Sequence, residues 1–432
     1  MAPGERVKWG HEKWHNPATG KTVIVHEHKG CDLPPWTVPP GGIRMNPLTE
    51  HLASEMAKLR QAGTYKEELV LESPQDARVR VGGREVVMLT SNNYLGFANH
   101  PRIREAQKKA IDRWGAGLAS VRFICGTQAL HKELEAEISS FFGTQDTILY
   151  MSCWNANEGL FAAVLDEPDG LYSDELNHAS IIDGVRLCKA KRFRVPHGDT
   201  KALERMLAED GTSRFRVMIT DGVFSMEGEE ANLPELVRIC EKHGTLLAVD
   251  DSHATGVLGA TGRGTAEEQG VFDRIPVTTG TLGKAMGSAA GGFVTGPKSL
   301  IEALRQRSRT YLFSNSLPPA VAAGSLEAFR MLREDPAQVA KLRENTSFFR
   351  EAISQAGFRI PHGTHPIVPV IVGDTAKALA MGKALFEEGV YVSGFGYPVV
   401  PQGQARLRCQ VSAAHERRDL ERSVEAFRKV GR

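Results

Sequence analysis

The middle of the chain constrains the fold most, because strand-like and helix-like patterns alternate from about residue 97 to residue 330. This order is typical of a mainly parallel sheet covered by helices, in which ligands bind at the carboxyl ends of the strands. The predicted strands cover residues 147–151, 170–172, 192–195, 216–221, 246–249 and 277–281. The predicted helices cover residues 100–114, 129–142, 156–165, 181–188, 200–207 and 233–243. We therefore expect a large α/β domain over residues 97–330.

Three further segments flank this predicted domain. Residues 1–45 are rich in Trp, His and Pro and predict an N-terminal extension with a short hairpin through residues 21–26. Residues 46–96 predict an arm with a helix at 47–62 and strands at 69–71 and 79–89, the latter turning at Gly82-Gly83. Residues 331–432 alternate helix and strand afresh and predict a smaller C-terminal α/β domain.

The charge balance excludes two kinds of partner. Lys and Arg number 53 against 52 Asp and Glu, a formal charge of +1. The chain therefore has no large net positive charge that would attract nucleic acid or an anionic membrane. The chain lacks an apolar stretch long enough to span a bilayer and an apolar secretory core at its start, so we expect a cytoplasmic protein. The six cysteines are scattered, without metal or disulfide spacing, and we expect reduced thiols.

The N-terminal extension contains a run that matches the zinc protease pattern HExxH, from His11 to His15. That pattern needs a helix to place both imidazoles on one face, and no amphipathic periodicity extends this run. Solvated polar residues on a short extension are the favoured interpretation, and we expect no metal. A structural metal remains the alternative, held by some of His11, His15, His26, His28 and Cys31.

A single lysine, Lys284, follows the last predicted strand of the large domain among closely spaced glycines. Glycines there let other backbone or a bulky ligand approach closely. A lysine that is partly desolvated at such a place loses preference for its charged form and becomes a nucleophilic amine, the kind that forms Schiff bases. An ordinary turn lysine is the alternative.

Polar residues gather where the other predicted strands end. Taken singly, each is explained as a helix cap or a turn residue. Together at one sheet edge with Lys284 they predict a site, and they are Asn155, His178, Ser225, Asp250 and His253. The set offers an amine for an aldehyde, a carboxylate for a protonated ring nitrogen, a helix start for a phosphate and a flat ring for stacking. Pyridoxal 5′-phosphate meets all four requirements.

The residues that carry a family resemblance extend from about residue 46 to the end. They include Ser-Asn-Asn-Tyr-Leu-Gly at 91–96, Val-Arg-Phe-Ile-Cys-Gly-Thr-Gln at 121–128, Asn-His-Ala-Ser-Ile-Ile-Asp-Gly-Val-Arg at 177–186, Val-Asp-Asp-Ser-His at 249–253 and Thr-Gly-Thr-Leu-Gly-Lys at 279–284. With these runs the chain resembles the α-oxoamine synthase family of fold type I pyridoxal phosphate enzymes, in particular its glycine C-acetyltransferase branch.

The resemblance implies a role for each matching residue. Lys284 bonds to the cofactor aldehyde and later moves protons at Cα, while Asp250 pairs with the ring nitrogen, His178 stacks on the ring, and His253 and Ser225 bond the phenolic oxygen. The phosphate is held at the start of the helix after the first strand, with a hydroxyl from the lysine loop and one across a dimer interface. The implied phosphate-site residues are Cys153, Trp154, Asn155, Thr281 and Ser314. Arg408 clamps the amino-acid carboxylate and Asn92 assists near the substrate.

The resemblance also implies an activity and an assembly. It implies a homodimeric transferase that condenses glycine with acetyl-CoA, without decarboxylation, to 2-amino-3-oxobutyrate and CoA, and the reverse cleavage in threonine degradation. One alternative is another α-oxoamine synthase with a longer acyl-CoA or acyl-carrier thioester, or with a different amino acid. A second is a non-catalytic binder of pyridoxal phosphate, either a regulator or a structural subunit.

Overall fold

The computed structural model describes residues 10–15, 22–27 and 46–431, and the chain divides into two compact units, Met1–Glu68 and Leu69–Arg432. In the first unit, strands β1 (Gly10–His15) and β2 (Thr22–Glu27) pair antiparallel, which confirms the expected hairpin. The HExxH run thus lies on a strand and lacks the helix that the zinc protease pattern requires. His28 and Cys31 lie outside the described residues.

Helix α1 (Pro47–Gln61) belongs to the same unit and confirms the helix expected there. It begins at Pro47 because Asn46 and Thr49 form a capping box. The Asn46 side chain accepts from the Thr49 amide at 3.0 Å, and the Thr49 hydroxyl accepts from the Asn46 amide at 2.9 Å.

The second unit begins with a hairpin of β3 (Arg78–Val81) and β4 (Arg84–Met88). Gly82 and Gly83 both have positive φ, 57° and 75°, as the tight turn predicted there requires. The strand predicted at residues 69–71 is wrong, because only Leu71 forms an isolated bridge, to Val81. Pro74 follows closely and has no amide hydrogen with which to extend a ladder.

A seven-stranded sheet organises most of this unit, in the order β5-β11-β10-β9-β8-β6-β7. All neighbouring pairs are parallel except those of β11, which runs antiparallel to β5 and β10. The strands are β5 (Asp146–Tyr150), β6 (Gly170–Asp174), β7 (Lys191–Val195), β8 (Arg216–Asp221), β9 (Leu246–Asp250), β10 (Val277–Thr281) and β11 (Gly292–Gly296). The predicted fold class, a mainly parallel α/β sheet, is confirmed.

Helices of this unit cover both faces of the seven-stranded sheet, and others pack on a smaller C-terminal sheet. Consecutive residues of β11, Phe293 and Val294, enter different core clusters, because side chains alternate across a strand. The helices are α2 (Pro101–Trp114), α3 (Arg122–Cys125), α4 (Ala129–Phe142), α5 (Cys153–Val164), α6 (Ala179–Leu187), α7 (Thr200–Glu209), α8 (Leu233–Lys242), α9 (Thr265–Glu268), α10 (Lys298–Arg307), α11 (Arg309–Leu312), α12 (Pro319–Glu334), α13 (Ala337–Gln355), α14 (Thr375–Glu387) and α15 (Arg417–Val430). Among the described residues, no helix is both long and apolar enough to cross a bilayer.

A smaller sheet near the C-terminus has the order β12-β15-β14, with antiparallel pairs. Its strands are β12 (Ile367–Gly373), β14 (Ser393–Phe395) and β15 (Ala405–Gln410), while β13 (Val390–Tyr391) pairs with β4. Side chains from α13, α14 and α15, among them Phe349, Leu385 and Phe427, complete a core on this sheet. The smaller C-terminal α/β layer that the sequence predicts is therefore present.

Strand β11 was not predicted, because its sequence Gly-Phe-Val-Thr-Gly has glycine at both ends, as a turn often does. The surroundings of Gly292, the first residue of β11, explain why glycine is needed there. A Cβ on Gly292 would lie 2.3 Å from the Cys153 amide nitrogen and 2.3 Å from the Ser152 carbonyl carbon. Only glycine lets β11 pass this close to the first turn of α5.

We expect Gly292→Ala to destabilise the fold by roughly 2–3 kcal/mol, because backbone atoms of α5 cannot move aside as a flexible side chain could. Thermal unfolding measures the loss. Gly211→Ala is the matched control, since a Cβ there meets no atom within 4 Å. Equal melting temperatures for the two variants would contradict the close approach of β11 to α5.

Candidate active site

Lys284 lies just beyond the end of β10, and its amine is buried beside His253. The Nζ atom is 2.9 Å from Nε2 of His253, whose Nδ1 is 2.9 Å from the hydroxyl of Tyr94. Burial lowers the pKa of Lys284 from its usual 10.5, and burial followed by the charge of Lys284 lowers that of His253 well below 6.5. Because desolvation favours the neutral amine, this lysine is suited to attack a carbonyl carbon.

Asp250 ends the neighbouring strand β9, and donors from two elements hold its buried carboxylate. Asn157 Nδ2 donates to Oδ2 at 2.7 Å, and the Ser252 amide donates to Oδ1 at 2.9 Å. The Cys153 thiol lies 3.6 Å from the same Oδ2. The negative charge of Asp250 opposes the effect of burial on the pKa of Lys284, so the two groups share one electrostatic environment.

Hydrogen bonds hold His178 at the start of α6. Its Nδ1 accepts from the Ser180 amide at 3.2 Å, and its own amide donates to Asp221 at 2.7 Å. The indole of Trp154 packs edge-on to the imidazole, with ring centroids 5.9 Å apart. Burial lowers the pKa of His178 from 6.5 and raises that of Asp221 well above 3.8.

The first turn of α5 presents backbone amides at the same sheet edge. The helix begins at Cys153, earlier than the predicted residue 156, because the Ser152 side chain caps it by accepting from the Asn155 amide at 3.2 Å. The amide of Asn155 is thus already used, whereas those of Cys153 and Trp154 have no acceptor within the described part of the chain. Thr281 Oγ1 accepts from the Gly283 amide at 3.3 Å.

Arg408 reaches the site from the C-terminal sheet. It lies on β15, is 6% exposed, and donates from Nε to the Ser225 carbonyl at 2.5 Å. Two residues further along the same strand face, Gln410 donates to the side chain of Asn92, which also accepts from Tyr94 at 3.2 Å. Burial lowers the pKa of Arg408 from 12.5.

Ser314 was predicted to contact the phosphate across a dimer interface, and that contact stays a prediction. Ser314 follows α11 and lines a small cavity with Arg122, Tyr150 and Met151. Ser225 accepts from Arg408 through its backbone carbonyl, and the role predicted for its side chain stays a prediction.

Two residues at the site were missed by sequence reasoning, Tyr94 and Asn157. Tyr94 lies in the run at 91–96 and Asn157 lies two residues after Asn155, but their partners are far along the chain, His253 for Tyr94 and Asp250 for Asn157. Only the pairing of β9 between β8 and β10 brings Asp250 next to Lys284 and α5. Proximity of this kind leaves no local pattern in the sequence.

The donor set fits pyridoxal 5′-phosphate. Free amides at the start of α5 suit a phosphate, the anchored carboxylate of Asp250 suits a protonated ring nitrogen, and the amine of Lys284 suits an aldehyde. The buried side-chain oxygen of Ser252 has no hydrogen-bond partner among the described residues, which is consistent with space kept for a polar ligand.

Comparison with known proteins agrees with this geometry. The chain belongs to the aminotransferase class I and II family, whose sequence model matches residues 84–427. It is 49% identical to the mitochondrial 2-amino-3-ketobutyrate coenzyme A ligase of Bos taurus over 88% of this chain and 91% of the relative. It is 46% identical to the 8-amino-7-oxononanoate synthase of Symbiobacterium thermophilum over 89% and 98%. A solved serine palmitoyltransferase variant from S. paucimobilis with a bound PLP–myriocin aldimine superposes with a TM-score of 0.84 at 30% identity, over 90% and 98%.

We expect Asn157→Ala to raise the dissociation constant of pyridoxal 5′-phosphate roughly 10-fold, because the Asp250 carboxylate loses a buried donor. Cofactor absorbance after equilibrium dialysis measures it. The control Asn99→Ala removes a comparable amide, which donates to Asp76 at 3.3 Å. Equal cofactor affinity in the two variants would argue against Asn157 as the support of Asp250.

Proposed function

We propose that this protein is a pyridoxal 5′-phosphate-dependent acyltransferase that condenses glycine with acetyl-CoA to 2-amino-3-oxobutyrate and CoA. The reverse reaction cleaves 2-amino-3-oxobutyrate with CoA. The observation that carries the proposal is the buried contact of 2.9 Å between Lys284 and His253, at the sheet edge that also holds Asp250. The high identity to the bovine ligase over most of both chains supports the choice of substrates.

Lys284 is proposed to bind the cofactor and then to move the proton at Cα of glycine. When bound, the cofactor supplies an electron sink that stabilises a carbanion at Cα. Lys284 is suited to take that proton because its desolvated amine favours the neutral form. A carbon–carbon bond then forms between Cα and the thioester carbonyl, the carbon–sulfur bond breaks, and CoA leaves as the thiolate, for which the proton taken from Cα is available.

Asp250 and His178 are proposed to hold the ring system from two directions. The carboxylate of Asp250 keeps a ring nitrogen protonated, and Asn157 fixes its orientation with a hydrogen bond of 2.7 Å. His178, neutral and backed by Trp154, offers a flat face for stacking. His253 and Ser225 are assigned to the phenolic oxygen, and the amides at the start of α5, with Thr281, to the phosphate.

Arg408 is proposed to bind the carboxylate of glycine, with Asn92 beside it. A guanidinium with so little surrounding water strengthens its pairing with an anion, since the local dielectric is low. Because Ser225 fixes the Nε edge of Arg408, the rest of the planar group keeps one orientation.

A homodimer is part of the proposal. Large apolar side chains stay exposed at Phe123, Ile124 and Phe313, at 59%, 69% and 70%. Exposed apolar groups of this size favour burial against a partner. In such a dimer Ser314 would serve the phosphate of the neighbouring subunit. A cytoplasmic location stays a prediction, because the bovine relative is mitochondrial by name.

The relative from S. thermophilum carries a different name, so the choice of acyl donor and amino acid needs a direct test. A panel of acyl-CoA thioesters against a panel of amino acids, followed by release of free CoA, provides it. We expect the largest kcat/KM for acetyl-CoA with glycine. A larger value for a longer acyl chain or another amino acid would favour a different α-oxoamine synthase, and no turnover with any pair would favour a non-catalytic binder.

We expect Arg408→Ala to raise the KM for glycine roughly 10- to 1000-fold, because a charge-assisted bidentate pair contributes about 1.5–4 kcal/mol. Steady-state kinetics with saturating acetyl-CoA measure it. Arg408→Lys is the matched variant: it keeps the charge but loses the planar fork, and we expect an intermediate KM. An unchanged KM in Arg408→Ala would place the carboxylate elsewhere.

A further inference from the structure

His365 is a buried histidine that the proposed chemistry does not use. It precedes β12 and is 0% exposed. Its Nδ1 accepts from the Ile367 amide at 3.0 Å, and its Nε2 lies 2.9 Å from the backbone carbonyl oxygen of His253. Because an amide can only donate, Nδ1 carries no hydrogen, so Nε2 carries the hydrogen and donates it to His253.

Burial also disfavours the charged form of His365. Burial lowers its pKa to about 3, and the nearby cations Arg408, Arg350 and Lys284 act in the same direction. The hydrogen bond from Nε2 to the His253 carbonyl therefore keeps one donor and one acceptor over the working pH range.

Arg350, on α13, fixes the loop that carries His365. It is 8% exposed, and its guanidinium donates to the carbonyl oxygens of Pro361, His365 and Ile367 at 3.0, 3.1 and 3.0 Å. A buried cation is costly unless hydrogen bonds compensate for the lost water. Here three backbone carbonyls accept hydrogen bonds from the Arg350 guanidinium, and these bonds fix the loop.

The hydrogen bond from His365 ends at His253, and both ring nitrogens of the His253 side chain contact other residues. Nε2 meets the Lys284 amine and Nδ1 meets the Tyr94 hydroxyl. The Tyr94 ring also packs edge-on against His365, with centroids 5.8 Å apart. The backbone contact from His365 is thus the link between the loop before β12 and the imidazole that touches Lys284.

We propose that His365 is a positioning residue that acts through His253, so that the C-terminal sheet sets the place of the imidazole beside the Lys284 amine. Arg350 supports it by fixing the loop. The inference rests on the proposed function in one respect, the bonding of the cofactor to Lys284.

The test compares two amide variants in the holoenzyme. His365→Gln keeps a side-chain N–H at the reach of Nε2, whereas His365→Asn keeps an acceptor at the reach of Nδ1 and lacks that N–H. The readout is the pH midpoint of the absorbance band of the cofactor bonded to Lys284, measured without substrates. We expect a shift of about 0.5 pH unit or more in His365→Asn and a midpoint close to the unsubstituted protein in His365→Gln.

Other charged or titratable groups that face Lys284 and His253 are unchanged in both variants, so the comparison isolates the contact from His365. These groups are Tyr94, Cys153, His178, Asp221, Asp250 and Arg408. A midpoint that is unchanged in His365→Asn, or that moves equally in both variants, would overturn the proposal. His365 would then only stabilise its own loop.

If His365→Asn does not fold, Arg350→Lys replaces it, since a lysine cannot reach all three carbonyls at once. We expect a smaller shift of the midpoint in the same direction, and an unchanged midpoint in the folded variant would overturn the proposal.

Because the band is read without glycine or acetyl-CoA, a wrong choice of substrates would appear only in the CoA-release panel. A wrong cofactor lysine would appear as the absence of the band in the unsubstituted protein.

Discussion

Burial of the Lys284 amine beside His253 is the interaction on which the site depends. In water a lysine amine is protonated and a poor nucleophile. In this structure, desolvation works against the charged form, while Asp250 and Asp221 work in its favour. Both carboxylates end strands of the large sheet, so the electrostatic environment of Lys284 follows from the order of strands β8, β9 and β10.

The parts of the chain around this contact serve different requirements of the same site. The large sheet supplies the carboxylates and the free amides of α5, and Gly292 lets β11 pass beside that helix start. The C-terminal sheet supplies Arg408. His365, just before β12, donates a hydrogen bond to the backbone carbonyl of His253. In the proposed function both sheets are needed, because the large one presents the groups assigned to the cofactor and the other presents Arg408, assigned to the amino-acid carboxylate.

Much of this could be predicted from the sequence, for physical reasons that differ between elements. Strands β5 to β10 and the helices between them follow from apolar periodicity, and Lys284, Asp250, His178 and His253 follow from polar residues placed at strand ends. Strand β11 could not be predicted, because its first glycine, Gly292, is required by a close approach to α5 rather than by a turn. Asn157, Tyr94 and His365 could not be predicted either, because their partners lie in distant parts of the chain.

The central claim is that Lys284 is the residue that bonds to the cofactor. Reduction of the holoenzyme with borohydride, followed by peptide mapping by mass spectrometry, tests it most directly. The account predicts the mass of the reduced cofactor on the peptide that contains Lys284 and on no other lysine. The same mass on a different lysine, or no stable adduct after reduction, would contradict it.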